Sequence, residues 1–155
     1  IRRESFNLLR QNVHGLHTAP FIDDIIVKPS QLPEFLPKLY NLLDQYKIIY
    51  TIAGHVGNGN FHIIPLMVLA NEEDRKKIPA VADEVYNLVL QYKGSMTAEH
   101  NDGLIRSPYL PKMFGPAVYS IFEKVKQIFD LRNIFNPGKK VGASLDYALA
   151  HMKRG

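Results

Sequence analysis

The sequence predicts an α+β domain: a ferredoxin-like split βαβ antiparallel sheet with helices on one face, followed by a C-terminal helical extension. Two observations carry this prediction. Apolar residues alternate between short β-branched runs and stretches with helical spacing, in the order strand, helix, strand, strand, helix, strand. The chain has 155 residues, of which 46% are hydrophobic and 22% charged, ordinary values for one compact domain with a real core.

Phe21 to Val27 is β-branched and apolar and ends at Lys28-Pro29-Ser30, so it reads as the first strand. Ser30 is placed to cap a helix with Pro33 in its first turn, where a missing N–H costs little. Leu32, Phe35, Leu36, Leu39, Tyr40, Leu43 and Tyr46 then form one apolar helical face. Ile48 to Val56 and Asn60 to Val68 read as the second and third strands. Asn71, followed by Glu72, Glu73 and Asp74, makes a helix start suited to the positive end of the helix dipole. That helix continues through Ile78, Val81, Val85 and Val89 to Gly94, and Ser95 to Ala98 is a short fourth strand. Pro116 opens a further amphipathic helix through Phe129, and Ala143 to Met152 forms a last one.

Composition narrows the function classes. The net charge is a mild +4, and no aromatic and basic residues alternate as a nucleic-acid surface would need. No apolar run approaches a membrane span of roughly 20 residues, and no signal peptide is expected. Cysteine is absent, which excludes disulfides and thiolate ligands and fits a reducing cytoplasm. The chain opens on Ile1 rather than Met and is expected to be one domain, residues 1–155, of something longer.

The stretch Gly54-His55-Val56-Gly57-Asn58-Gly59-Asn60-Phe61-His62 carries the chemistry. Asn-Gly is a strong signal for a two-residue hairpin turn, because both residues tolerate positive φ. A turn at Asn58-Gly59 would set His55 opposite His62, with Cβ atoms about 4.5–5.5 Å apart on one face. Two imidazoles so placed can converge on one divalent ion. The glycines at 54, 57 and 59 would let backbone or ligand come close. A phosphate cradle is excluded, since no helix and no Lys-Ser/Thr follow. Glu99 is a candidate anionic third ligand. Taken alone, the Glu99-His100 pair also reads as an ordinary loop, and the two histidines as the solvated face of a tight hairpin. Two imidazoles and a carboxylate suit zinc, manganese or iron. His100 suits acid–base work, because histidine is the side chain whose unperturbed charge change falls near neutral pH. His14, His17 and His151 have no motif around them.

These residues, with Asn136-Pro137-Gly138-Lys139, resemble three signatures of the FAD-linked oxidase C-terminal domain, in the family's order, from about Arg3 to Gly142. That family is similar to D-lactate dehydrogenases, glycolate oxidase subunits and D-2-hydroxyglutarate dehydrogenases. The resemblance implies a flavin-dependent 2-hydroxyacid dehydrogenase whose FAD is held mainly by a preceding flavin-binding domain, missing here. It implies that His55, His62 and Glu99 hold the metal and that His100 removes the hydroxyl proton. Arg3 and Asn60 would bind substrate, and Asn136 and Lys139 would approach the flavin. Hydride would then pass from the substrate α-carbon to FAD, and this domain alone would be inactive. Asn58 stands where the family has Asp, and Asn101 where it has Gly. Ile22 lies near where a dicarboxylate-specific member carries lysine, which turns the expectation toward a D-lactate or glycolate type. The surface meeting the flavin domain is expected to be apolar and exposed, and to favour a homodimer in its absence. The parent is expected in the cytoplasm, with peripheral membrane association compatible. The alternatives are a metal-dependent hydrolase using the same ligands and a non-catalytic ferredoxin-like interaction module.

Overall fold

The computed structural model describes residues 15–152. Its sheet is organised around one fully buried strand. In chain order the strands are β1 (His17–Thr18), β2 (Ile25–Ile26), β3 (Ile49–His55) and β4 (Asn60–Met67). β4 pairs along its length with β3 on one edge. Its other edge takes β1 beside Leu66 and Met67 and β2 beside Asn60 and Phe61, all antiparallel. Ser95 joins the far side of β2, donating its N–H to Ile26 O at 2.9 Å and accepting from Ile26 N at 3.0 Å. The spatial order Ser95, β2, β4, β3 is the one a split βαβ arrangement requires.

The helices are α1 (Leu32–Gln45), α2 (Glu72–Gln91), α3 (Gly103–Arg106), α4 (Leu110–Phe129) and α5 (Leu145–Ala150). Asn71 caps α2 as expected, its side chain accepting from Glu73 N at 2.9 Å. Ser30 does not cap α1; it sits inside a 3-10 turn, Pro29–Gln31, that leads into the helix. α4 is broken at Gly115 (φ 74, ψ 163), so Pro116 does open a helical segment, with a preceding turn that the sequence reading missed.

Alternation along β4 divides its side chains between two faces. Phe61, Ile63 and Met67 join the core with Phe35, Leu39 and Leu43 of α1 and Val81, Val85 and Val89 of α2. Asn60 and His62 alternate with these and project from the opposite face.

Two predicted strands are much shorter in the structure. Phe21 to Val27 yields only β2, because Asp24 adopts φ 74, outside the extended region. Ser95 to Ala98 yields a single bridge. In both cases the backbone leaves the ladder to build the site.

Candidate metal centre

The hairpin does not turn on two residues. Val56–Asn58 forms a 3-10 turn, and Gly59 follows in the left-handed region at φ 78. Asn58 is not among the residues with positive φ, so a type I′ turn is ruled out. The four-residue loop pairs His55 with Asn60 and Ala53 with His62, correcting the expected His55–His62 pairing. A shift of two residues preserves the face, since side chains alternate with period two. His55 and His62 are therefore diagonal neighbours, with ring centroids 5.8 Å apart. Gly54 and Gly59 are needed for close packing of backbone: a Cβ on Gly59 would lie 1.8 Å from Val27 O, and one on Gly54 would lie 2.4 Å from Asn60 O. Gly57 faces open space.

Residues 97 to 100 form an irregular bend that wraps around one carboxylate. Asp24 is fully buried, and its Oδ2 accepts from the backbone N–H groups of Ala98 (2.8 Å), Glu99 (3.0 Å) and His100 (2.8 Å). Its Oδ1 accepts from Asn60 Nδ2 at 3.1 Å. Burial works against the charge, but these bonds from His100, Ala98, Glu99 and Asn60 outweigh it and hold the carboxyl below its ordinary range. The bend departs from the strand in which adjacent side chains diverge, so Glu99 and His100 both turn to one point.

That point is Glu99 Oε1. His62 Nε2 lies 3.0 Å from it, His100 Nε2 3.3 Å and His55 Nε2 3.5 Å. The rings of His62 and His100 stack, with centroids 4.6 Å apart and planes 10° apart. His62 is 4% exposed at its side chain, whereas His55, Glu99 and His100 are each close to half exposed (45%, 42% and 41%). Asp23 contacts the other nitrogens: its Oδ1 lies 2.9 Å from His62 Nδ1 and its Oδ2 3.3 Å from His100 Nδ1.

Four groups, Asp24, His62, Glu99 and His100, present ligand atoms within 4.8 Å of one another. Asp24 is a poor ligand despite its nearness, because its lone pairs are already committed to N–H donors. His55 falls outside that radius but shares Glu99 Oε1. Two ligand atoms each about 2.1 Å from one ion lie roughly 3.0–3.4 Å apart, close to the spacings at Glu99. The donor set fits a divalent cation.

The remaining expected residues are placed as follows. Asn60 is 3% exposed; its amide donates to Asp24 and, at 3.2 Å, to Ile25 O, leaving only Oδ1 without a partner. Asn136 (φ 47) turns the loop that carries Lys139, whose N–H donates to Asn136 O at 3.2 Å. Lys139 lines a cavity of about 490 Å³ with Thr97, Asp102, Phe114, Phe129 and Phe135, beside the Glu99-His100 bend. Arg3 lies outside the described residues. Ile22 is fully buried in the core, so the lack of a basic residue there does not discriminate between substrates.

Sequence reading missed Asp23, Asp24 and Arg106. Arg106, 6% exposed, donates Nη1 to Asp23 O at 2.6 Å and Nη2 to Asn101 O, tying together the two segments that flank the site. The signal available was two adjacent aspartates inside an otherwise apolar run.

With this geometry in place, the similarities to known proteins are informative. The sequence profile of the family described as FAD linked oxidases, C-terminal domain, matches residues 1–140. The chain is 33% identical over 139 residues to a D-2-hydroxyglutarate dehydrogenase of Haemophilus influenzae, covering 90% of this chain and 13% of that protein. It is 35% identical over 140 residues to a D-2-hydroxyglutarate dehydrogenase of Pseudomonas putida, covering 90% of this chain and 14% of that protein. A D-lactate dehydrogenase of Anaerostipes hadrus is 32% identical over 117 residues, 75% of this chain and 25% of that protein. The chain thus spans about a quarter or less of the length of these relatives.

Proposed function

Because the chain belongs to the family of FAD-linked oxidase C-terminal domains, we propose that it is the substrate-and-metal domain of a flavin-dependent 2-hydroxyacid dehydrogenase. The observation that carries the reading is the convergence of three imidazole Nε2 atoms on Glu99 Oε1 within 3.5 Å. His55, His62 and Glu99 would hold a divalent ion, zinc, manganese or iron. When bound, such an ion would supply Lewis acidity toward the substrate hydroxyl, and FAD from the flavin-binding domain would supply the hydride acceptor.

This chain's own residues would orient the substrate and move one proton. His100 Nε2, stacked beside His62, takes the proton from the 2-hydroxyl as the α-carbon gives up its hydride, leaving a 2-oxoacid. Asn60, whose buried Oδ1 has no hydrogen-bond partner, and Arg3 are assigned to the substrate on the family resemblance. Relatives named for D-2-hydroxyglutarate and for D-lactate support a 2-hydroxyacid as the substrate class.

The partner is the flavin-binding domain of the same parent chain. Ile128, Phe129, Leu131, Ile134 and Phe135 are all more than 60% exposed around the end of α4, an apolar patch that suits such docking. Asn136 and Lys139 follow this patch directly and would lie toward the flavin. Without that domain the patch is expected to drive dimerisation, which Phe129→Glu should suppress in sedimentation experiments. Among the described residues no helix is long and apolar enough to cross a membrane.

The decisive experiment uses the full-length parent flavoprotein. Bleaching of the oxidised flavin band is followed on addition of D-lactate, glycolate and D-2-hydroxyglutarate. One of these should reduce the flavin, chelator should abolish the reaction, and zinc or manganese should restore it. Flavin reduction by none of them, or reduction indifferent to chelator, would sink the reading.

A further inference from the structure

Asp23 has no part in the mechanism above, yet its carboxylate touches both histidines that would perform it. Its side chain is 15% exposed and bridges His62 Nδ1 (2.9 Å) and His100 Nδ1 (3.3 Å), one oxygen to each. The backbone around it is fixed on both sides. Its carbonyl accepts from Arg106 Nη1 at 2.6 Å, and its neighbour Asp24 is held by the bend at 98 to 100. Tyr86, fully buried, donates its hydroxyl to Phe21 O at 2.6 Å just upstream. The carboxylate is held in place rather than swinging in solvent.

A carboxylate can only accept, and each ring lies between two of them, Asp23 at Nδ1 and Glu99 at Nε2, while a neutral imidazole has one N–H. Asp23 is the better acceptor: it gives each ring its own oxygen and is 15% exposed, whereas Glu99, 42% exposed, meets three imidazoles with the one Oε1. With the hydrogen at Nδ1, Nε2 is an unprotonated acceptor. In both rings that Nε2 faces Glu99 Oε1, at 3.0 Å from His62 and 3.3 Å from His100. The two rings that share this carboxylate are stacked, with planes 10° apart.

We propose that Asp23 is a positioning residue that fixes His62 and His100 together in the Nδ1–H tautomer, so that one carboxylate prepares both a metal ligand and the proton acceptor. This deepens the reading of the preceding section and rests on it for the roles of the two histidines. The assignment of the tautomers rests on geometry alone. Orientation of a ligating histidine by a carboxylate on its far nitrogen is a general device, and losing it typically weakens metal binding about 10–100-fold. Serving a ligand and a base from the same carboxylate couples the two.

The test uses imidazole ¹⁵N spectra of the metal-free chain in alkaline buffer, where free imidazole is neutral, together with manganese(II) titration. The unaltered protein should show Nδ1–H and unprotonated Nε2 at both His62 and His100. Asp23→Asn offers one acceptor oxygen and an NH2 donor, so at least one ring should change to Nε2–H, and manganese affinity should fall about 10–100-fold. Asp23→Glu keeps two acceptors and should recover part of that affinity. A proton on Nε2 of either ring in the unaltered protein overturns the proposal, as do unchanged spectra in Asp23→Asn. If the unaltered chain takes up no manganese, the metal reading of the site fails, and the spectra still decide the role of Asp23.

Discussion

Asp24 and His100 stand 76 positions apart in sequence and are joined by a 2.8 Å bond from the His100 backbone N–H to the buried Asp24 carboxylate. The Ala98 and Glu99 N–H groups share that carboxylate. Each buried donor left without a partner costs about 1–3 kcal/mol. Asp24→Ala is therefore expected to lower stability by about 3 kcal/mol or more in urea denaturation, and to release Glu99 and His100 from the site. An unaffected denaturation midpoint would show that the bend holds without its anion.

Acid sensitivity follows from the same group. The Asp24 pKa is lowered in the folded state from its usual 3.8. The unfolded chain therefore takes up the proton first as pH falls. The stabilisation is complete above 3.8 and is lost as pH drops through the lower folded value. In chelator, this carboxylate should add no slope to stability between about pH 5 and 7, and a steep loss should appear in more acid solution. Asp24→Asn should remove that acid limb of the curve while lowering the plateau.

The proposed ligands and base should be separable by mutation. His55→Ala, His62→Ala and Glu99→Gln should each abolish stoichiometric metal, measured by elemental analysis after dialysis. His55→Ala should do so with the fold intact, since that side chain is 45% exposed, whereas His62→Ala also opens a buried space. His100→Ala should keep the metal and reduce turnover of the parent enzyme by about 10²–10⁴-fold. Metal lost with His100→Ala but retained with His55→Ala would exchange the two assignments.

The hairpin glycines should behave oppositely. Gly59→Ala meets Val27 O and a positive φ at once and should cost well over about 1 kcal/mol. Gly57→Ala meets nothing and should fall within about 0.5 kcal/mol of neutral. Thermal melts of the two variants check this.

Much of this was legible in the sequence, and the exceptions share a cause. The helices α1 and α2, the antiparallel pairing of β3 with β4, and the common face of His55 and His62 all follow from periodicity. The hairpin pairing was mispredicted because Asn58-Gly59 resembles a two-residue turn, while Asn58 actually completes a 3-10 turn and only Gly59 takes positive φ. The face survived that error because the loop differs by an even number of residues. Asp23 and Asp24 were hidden inside a run whose β-branched residues read as strand. Periodicity reports which residues are buried; it does not report that a buried aspartate has collected three N–H donors from a bend more than seventy residues downstream.

The carboxylates of Asp23, Asp24 and Glu99 surround His62 and His100, so the centre carries a negative field of its own making. A 2-hydroxyacid is itself an anion. It is expected to be repelled until a dication has offset two of these three charges and offered the substrate carboxylate a partner, which makes loading sequential, metal before substrate. A 2-oxoacid product should then compete with substrate only in the metal-loaded enzyme, and competition surviving in chelator would break that order.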